Sequence, residues 1–173
     1  EVKERLIYEP LAERLLLPSI EVLADVEDEV SRKVREQYEE NPYPRWVKLS
    51  IPLKSQSVTK ICEAAQLKLG SDEILNVSNP SILIAGCGTG QHSIGSACIY
   101  SNCRVTAVDL SRASLAYAKR KTIEHGLSNI EYLQADILEL RKLSHTFDII
   151  ESMGVLHHME DPMAGWRVLT DLL

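Results

Sequence analysis

Apolar residues in the first forty positions recur at helical spacing. From Leu6 to Leu17 they repeat every three or four residues, and Pro18 ends the run. A second apolar stripe follows at the same steps through Ile20, Leu23, Val26, Val30, Val34 and Tyr38. Because residues three and four apart share one face of a helix, the pattern predicts two amphipathic helices. The prolines in the segment Asn41–Trp46 cannot continue a helix and predict a connector.

From residue 81 the pattern changes to short apolar runs that alternate with helical segments. The runs predict four strands, at residues 81–85, 104–108, 129–134 and 147–151. Helices are predicted at 55–69, closed by Gly70, and at 110–125, with Ser111 as N-cap and Gly126 as the end. Strands that alternate with helices are typical of parallel βαβ units, so the sequence predicts an α/β fold with a parallel central sheet.

The change of pattern divides the chain into two regions. Residues 1–50 are predicted to form an N-terminal helical region with a Pro-rich connector or lid, and residues 51–173 an α/β domain. The length of 173 residues fits one domain with an appendage. The first residue is Glu1 rather than Met, which indicates a piece of a longer protein.

Composition narrows the class of protein. With 45% hydrophobic and 25% charged residues, the chain has the composition of an ordinary globular domain. It has no apolar run near the ~20 residues that cross a bilayer and no signal segment, so we expect a cytoplasmic protein without membrane partners. Its four cysteines include no Cys-x-x-Cys pair, so we expect free thiols and no metal site.

The net charge of −6 comes entirely from the N-terminal region. Residues 1–40 carry 12 acidic and 6 basic residues, and the remaining residues carry 13 of each. A protein that neutralises a nucleic-acid backbone needs a basic surface. Only Lys119-Arg120-Lys121 approaches one, and on a helix such a triplet is usually a solvated face. The charge pattern therefore disfavours nucleic acid as a partner.

Glycines and acidic residues follow the predicted strands in order. They are the Gly86–Gly90 loop, Asp109, Asp136 and the Glu151–Met153 stretch. In a parallel sheet, ligands bind outside the carboxyl ends of the strands. We therefore expect these residues to form a single site.

The glycine loop is suited to binding a phosphate or a carboxylate, because its N–H groups and the following helix favour an anion. Tight turns also need glycine for steric reasons alone, so that alternative stays open. The dinucleotide fingerprint would need a third glycine where Gln91 stands, and no P-loop is present. Asp109 is placed to accept from ribose hydroxyls or to stabilise the next helix, and Asp136 to accept from an adenine amine or to form a turn.

Four motifs in this order resemble the class I S-adenosylmethionine-dependent methyltransferase family. They are Ile82–Gly90, Ala107–Ser111, Gln134–Asp136 and Phe147–His158, and the resemblance covers roughly residues 55–173. It implies a Rossmann-like three-layer fold and S-adenosylmethionine as cofactor, with S-adenosylhomocysteine as product. It also implies transfer of a methyl group to an unidentified small-molecule or protein acceptor. The segment Tyr38–Trp46 is similar to the segment before the methyltransferase domain in bacterial tetratricopeptide-repeat proteins.

The resemblance implies roles for single residues. The methionine end of the cofactor would be lined by Gly86, Cys87, Gly88 and Gly90, and Asp109 would hold the ribose. Leu110 would pack on adenine, and Asp136 would accept from the adenine amine, with Ala135 and Ile137 beside it. The sulfonium and the substrate entrance would be bordered by Glu151, Ser152 and Met153. The catalytic residues are not identified, and the candidates are His157, His158 and Tyr43. A proton acceptor is useful when the substrate is a hydroxyl or an amine, although purely structural roles for these residues stay open.

Two departures from the family pattern matter. Members commonly carry an acid two residues before the first loop glycine, where this chain has Ile84, which puts contacts to the methionine amine in doubt. The family sheet has seven strands and only four are predicted, so we expect a truncated domain whose exposed edge promotes self-association. The alternative function is a non-catalytic S-adenosylmethionine-binding module. A nicotinamide-dependent oxidoreductase is disfavoured by Gln91.

Overall fold

The computed structural model describes residues 2–52, 54–69 and 71–173. Its α-helices are α1 (Glu9–Leu16), α2 (Glu29–Glu40), α3 (Val58–Ala64), α4 (Gln91–Ile99), α5 (Arg112–Glu124) and α6 (Pro162–Thr170). Its strands are β1 (Glu21–Val22), β2 (Ser81–Ala85), β3 (Arg104–Asp109), β4 (Ile130–Gln134) and β5 (Ile149–Glu151). Short π- or 3₁₀-helical segments cover Glu4–Tyr8, Leu17–Ser19, Glu73–Asn76, Ile137–Lys142 and Leu156–His158. Across these described ranges, no helix combines the length and the apolar character needed to cross a membrane.

The strands form one parallel sheet in the order β1-β4-β3-β2-β5. Strands β2 to β5 correspond to the four predicted strands, so the predicted α/β fold with a parallel central sheet is confirmed. Side chains of β2 alternate between the two faces. Ile82 and Ile84 pack with residues of α4 and α5, and Leu83 and Ala85 pack with residues of α6. The sheet is therefore the middle of three layers.

The prediction of one continuous helix over residues 20–38 is wrong for its first half. Strand β1 is extended and pairs with β4, and Leu23 N donates to Gln134 O at 3.0 Å. Helix α2 begins only after Asp28, whose carboxylate accepts from Ser31 N at 2.7 Å. The edge of β4 offers this extended segment backbone partners that compete with a helix. Apolar spacing alone cannot reveal that competing partner.

The predicted helix at 55–69 is shortened to α3. Gln66 has a φ of 52°, the left-handed conformation that commonly ends a helix. Gly70, the predicted end, lies outside the described residues. Helix α5 follows its prediction closely, since it begins after the N-cap Ser111 and ends before Gly126, which has a φ of 67°.

Helix α1 is attached to α5 through a buried cluster of charges. Arg120 on α5 forms ion pairs with Glu9 at 3.1 Å and Glu13 at 3.0 Å, and Arg45 of the connector binds Glu13 at 2.7 Å. Both guanidinium groups also lie over the ring of Tyr117. Breaking the buried pair of Arg120 and Glu13 costs roughly 3–5 kcal/mol, because an uncompensated charge is left behind. The N-terminal region is thereby fixed against the α/β layers.

Candidate functional site

A cavity of about 550 Å³ lies at the carboxyl ends of the strands. Its lining comes from the loops after β2, β3, β4 and β5, and from α2 and the connector. The chain passes from β2 to one side of the sheet for β3 and β4, then crosses to the other side for β5. Such a reversal leaves a crevice in which α/β proteins bind ligands.

The cavity brings together most of the residues that the sequence selected. Those on its lining are Tyr43, Gly86, Cys87, Gly88, Asp109, Leu110, Ala135, Asp136, Ile137, Met153 and His158. Those outside its lining are Gly90, Glu151, Ser152 and His157.

The glycine loop after β2 combines a steric requirement with an open face. Gly90 precedes α4 with a φ of 83°, and a Cβ there would lie 2.5 Å from the Cβ of Ala118 on α5. Gly88 has a φ of 52°, but a Cβ there would meet none of the described atoms within 4 Å. Helix packing therefore explains the glycine at position 90. Gly88 instead leaves room for a ligand beside the backbone.

Asp109 joins the end of β3 to the glycine loop. Its Oδ2 accepts from Gly88 N at 2.7 Å, and its Oδ1 accepts from Ser111 N at 3.0 Å. Burial raises the pKa of Asp109, the backbone hydrogen bonds oppose that rise, and the charge of Glu39 adds to it. Each carboxylate oxygen has two lone pairs and can therefore accept one further hydrogen bond. This geometry suits two neighbouring hydroxyl groups, such as those of a ribose.

Asp136 holds the corresponding position after β4. Its side chain is buried, and Oδ1 accepts from Leu138 N at 2.9 Å, which begins the 3₁₀ segment that follows. The turn-forming role is therefore present. A carboxylate has about four acceptor positions, so this bond leaves capacity for an amine in the cavity. Leu110 is also part of the lining, and Gln134 Nε2 donates to the Leu110 carbonyl at 2.8 Å.

Glu151 faces α4 rather than the cavity. Its carboxylate accepts from Ser96 Oγ at 2.6 Å and from the Tyr100 hydroxyl at 3.0 Å, and it pairs with His92 Nε2 at 2.8 Å. Burial alone would raise the pKa of Glu151, but the hydrogen bonds from these donors lower it. Burial and the charge of Glu151 raise the pKa of Tyr100, so its hydroxyl remains a donor. Of these three partners of Glu151, His92 is the one that is part of the cavity lining.

Sequence reasoning missed His92, although a signal for it was present. His92 and Ser96 are four residues apart and so lie on one face of α4, and Tyr100 follows four residues later at the end of the helix. The strand register adds a second point, because Glu151 on β5 lies directly beside Ile84 on β2. The position without the usual acid therefore has a carboxylate on the neighbouring strand.

The structure separates the three candidates for proton transfer. His158 and Tyr43 are part of the lining, whereas His157 lies outside it. The two imidazole rings are 4.0 Å apart and tilted by 41°. Ser152 lies outside the lining, and the adjacent Met153 lies on it.

Over the described ranges, no group of three or more His, Cys, Asp or Glu side chains is arranged to hold a metal ion.

The connector is fastened to the glycine loop. Thr89 Oγ1 donates to Pro44 O at 2.7 Å, and Trp46 Nε1 donates to Thr89 O at 3.0 Å. The Tyr117 hydroxyl donates to the carbonyl of Trp46. Trp46 is 8% exposed, whereas Tyr43 is 73% exposed. Trp46 is therefore a packed part of the connector, and Tyr43 borders the cavity.

Helix α2 contributes part of the cavity lining, and no local sequence pattern marks the residues that do so. Its lining residues are Ser31, Val34 and Tyr38. Near its end, Glu39 accepts from Ala113 N at 2.7 Å and from Arg112 N at 3.0 Å, at the start of α5. Glu39 is one of 12 acids in the first forty residues, and no local pattern distinguishes it from the others.

Comparison with known protein sequences gives one family and several relatives. A family model described as "Methyltransferase domain" matches residues 82–172, just over half of the chain. The chain is 35% identical over 100 residues to (S)-coclaurine N-methyltransferase of Thalictrum flavum subsp. glaucum, covering 58% of this chain and 25% of that protein. It is 32% identical over 97 residues to ubiquinone biosynthesis O-methyltransferase of Pseudomonas syringae pv. tomato, covering 56% and 40%. The chain thus spans well under two thirds of the length of these relatives.

Comparison with solved structures gives the same picture. PKMT2 from Rickettsia typhi, solved in complex with AdoHcy, is 28% identical with a TM-score of 0.50, covering 54% of this chain and 18% of that one. Magnesium protoporphyrin IX methyltransferase from Synechocystis, solved with bound SAH, is 20% identical with a TM-score of 0.58. That comparison covers 82% of this chain and 67% of the other, and it speaks for the fold alone.

Proposed function

Because the chain belongs to the methyltransferase domain family, we propose that it binds S-adenosylmethionine and transfers the methyl group to an acceptor. The observation that carries the proposal is the cavity in which Gly88, Asp109 and Asp136, from three successive strand ends, face one space. The acceptor is a small molecule or a protein whose identity these residues leave open.

The residues of the cavity fit this cofactor. A volume of about 550 Å³ is within the range of small-molecule and cofactor sites, roughly 300–1,000 Å³. Gly88 leaves open space beside its backbone, and Asp109 offers two acceptor oxygens at the end of β3. Asp136 adds a buried carboxylate after β4. This donor and acceptor set matches a nucleoside with two free ribose hydroxyls and an amine on its base.

We assign roles from the ribose outwards. Asp109 accepts from the ribose hydroxyls, Asp136 accepts from the adenine amine, and Leu110 and Ile137 flank the base. Gly86 and Cys87 border the amino-acid end. When bound, S-adenosylmethionine supplies an electrophilic methyl group on a sulfonium. The contribution of the protein is chiefly to hold donor and acceptor in a reactive geometry.

A hydroxyl or amine acceptor must lose a proton when it is methylated. Two imidazoles lie on the cavity lining, those of His92 and His158. Of these two, His92 is the one whose ring pairs with a carboxylate among the described residues, that of Glu151 at 2.8 Å. Such a pair orients the ring and leaves its other nitrogen to accept a proton. We therefore assign His92 as the group that accepts the proton lost by the acceptor. His158 and Tyr43 are placed in contact with the acceptor.

Titration calorimetry of the purified protein with S-adenosylhomocysteine tests the cofactor assignment. We expect a dissociation constant in the micromolar range, about −8 kcal/mol, and no heat with NAD⁺. Heat with NAD⁺ but not with S-adenosylhomocysteine would contradict the proposal and support a nicotinamide-dependent oxidoreductase.

A second candidate is a non-catalytic S-adenosylmethionine-binding module. The observation that favours it is Ile84, which is fully buried in the apolar core where related domains carry an acid. Both functions require cofactor binding, so calorimetry cannot separate them. Incubation with S-adenosylmethionine labelled on the methyl group, in the presence of candidate acceptors, does separate them. We expect a labelled product, and tight binding without any transfer would support the module.

We also propose finer assignments for the parts of the chain. Residues 1–50 cover the site as an N-terminal lid and residues 51–173 form the cofactor-binding domain, which is supported by the lining contributed by α2 and Tyr43. A cytoplasmic location is supported by composition. Association with tetratricopeptide repeats is supported by the segment Tyr38–Trp46.

A further inference from the structure

The N-terminus of α5 lies directly beside Asp109, at the end of β3. Ser111 caps the helix, and the N–H groups of Arg112 and Ala113 belong to the first turn, which has no acceptors inside the helix. A helix end of this kind attracts anions. In α/β proteins that bind nucleotides, this strand end is also where a ribose hydroxyl or a ribose phosphate is recognised.

In this chain a carboxylate from α2 occupies that helix end. Glu39 Oε1 accepts from Arg112 N at 3.0 Å, and Glu39 Oε2 accepts from Ala113 N at 2.7 Å and from Ser111 Oγ at 3.3 Å. The charge of Glu39 is close enough to Asp109 to raise the pKa of Asp109. Asp109 lies on the cavity lining and Glu39 lies just outside it, and both carboxylates accept hydrogen bonds from Ser111. A second negative charge is thus held next to the carboxylate that faces the ribose position.

Two basic side chains of α5 are bound to the segment that follows α1. Arg112 Nη2 donates to the carbonyl of Leu17 at 2.6 Å. Lys119 Nζ donates to the carbonyl and the hydroxyl of Ser19 at 3.0 and 2.9 Å. Both side chains thus fix the N-terminal region to α5, and neither is part of the cavity lining.

We propose that Glu39 is a specificity-determining residue that excludes a phosphate group on the ribose and limits the site to adenosine cofactors with free hydroxyls. This inference rests on the proposed function, since it places the ribose at Asp109. A phosphate group carries about −1.5 to −2 charges at neutral pH. Beside Glu39 and Asp109 it would meet like charge at a helix end whose donors are already used, which is an arrangement that selects against a ligand.

Competition with S-adenosylhomocysteine tests the inference. The probes are adenosine, adenosine 2′-monophosphate and adenosine 5′-monophosphate. Glu39→Ala removes the carboxylate, and Glu39→Gln keeps an acceptor oxygen without the charge. Glu40→Ala is the matched control, because Glu40 is the exposed neighbour on the same helix. The ratio of two affinities is measured within each variant, so a general loosening of α2 cancels from it.

We expect the wild-type protein to bind adenosine 2′-monophosphate at least about tenfold more weakly than adenosine. Glu39→Ala should reduce that ratio by about tenfold, Glu39→Gln by less, and Glu40→Ala should leave it unchanged. The ratio for adenosine 5′-monophosphate should stay constant throughout. An unchanged 2′-phosphate ratio in Glu39→Ala, or an equal drop in Glu40→Ala, overturns the inference. Wild-type protein that binds no S-adenosylhomocysteine overturns the proposed function itself, and this inference with it.

Discussion

Asp109→Asn should weaken the binding of ligands through their ribose hydroxyls. The aspartate carboxylate already accepts from Gly88 N and Ser111 N and has one acceptor position left on each oxygen. Asparagine keeps one acceptor oxygen, loses the charge and turns an NH₂ group towards one of these N–H donors. A hydrogen bond to a charged group contributes roughly 1.5–3 kcal/mol, so we expect an affinity loss of roughly 10- to 150-fold.

The assay is calorimetry with two ligands on two proteins. Adenosine carries the 2′- and 3′-hydroxyls of the ribose, whereas 2′,3′-dideoxyadenosine lacks these two and keeps only the 5′-hydroxyl. If Asp109 acts through the hydroxyls, the substitution weakens the binding of adenosine by the full factor of roughly 10- to 150-fold and leaves the binding of the dideoxy ligand almost unchanged. The matched control is Asp148→Asn, because Asp148 also accepts a backbone hydrogen bond, from Ser81 N at 2.8 Å, but is exposed and outside the cavity lining. Both ligands should bind the control variant as they bind the wild type.

A structural role for Asp109 predicts a different result. The carboxylate ties the glycine loop to the start of α5, so the variant also loses roughly 1–3 kcal/mol of stability through an unsatisfied N–H group. If that were its only role, the substitution would weaken the binding of both ligands by the same factor. The coupling free energy between the substitution and the removal of the hydroxyls would then be zero. A zero coupling would refute the assignment of ribose to Asp109, whatever happens to the melting temperature.

Three further predictions concern the loop, the connector and the carboxylate on β5. Gly90→Ala should destabilise more than Gly88→Ala in thermal melts: both carry left-handed strain of roughly 1–2 kcal/mol, but only at Gly90 does the new Cβ lie 2.5 Å from α5. Trp46→Phe should cost about 1–3 kcal/mol in urea unfolding, because the buried carbonyl of Thr89 loses its donor. Hydrogen bonds lower the pKa of Glu151 below its usual 4.5. The ionised carboxylate therefore adds its full contribution to the free energy of unfolding above pH 4.5, and this contribution is lost as the pH falls through the lowered pKa. Glu151→Gln should therefore reduce stability at neutral pH and flatten the acid branch of unfolding curves recorded from pH 3 to 7.

The sequence alone determined the parallel strands and the glycine loop, because both depend on local patterns. Apolar runs of strand length that alternate with helical segments specify βαβ units wherever they occur. Ser111 and Gly126 mark the ends of α5 through capping chemistry that needs only neighbouring residues. The order of strand ends then placed Asp109 and Asp136 at one edge of the sheet before any contact was known.

Only the tertiary structure decided which side chains complete the site. Helical spacing joined residues 20–38 into one helix, but the free edge of β4 offered backbone partners that made their first part a strand. The same limit applies to charge. Glu39 meets the start of α5 across more than seventy residues, and Glu151 meets His92 across about sixty. These carboxylates gain a role from the helix dipole or the hydrogen-bond donors that the folded chain brings to them, and a carboxylate in the unfolded sequence gives no sign of which partner that is.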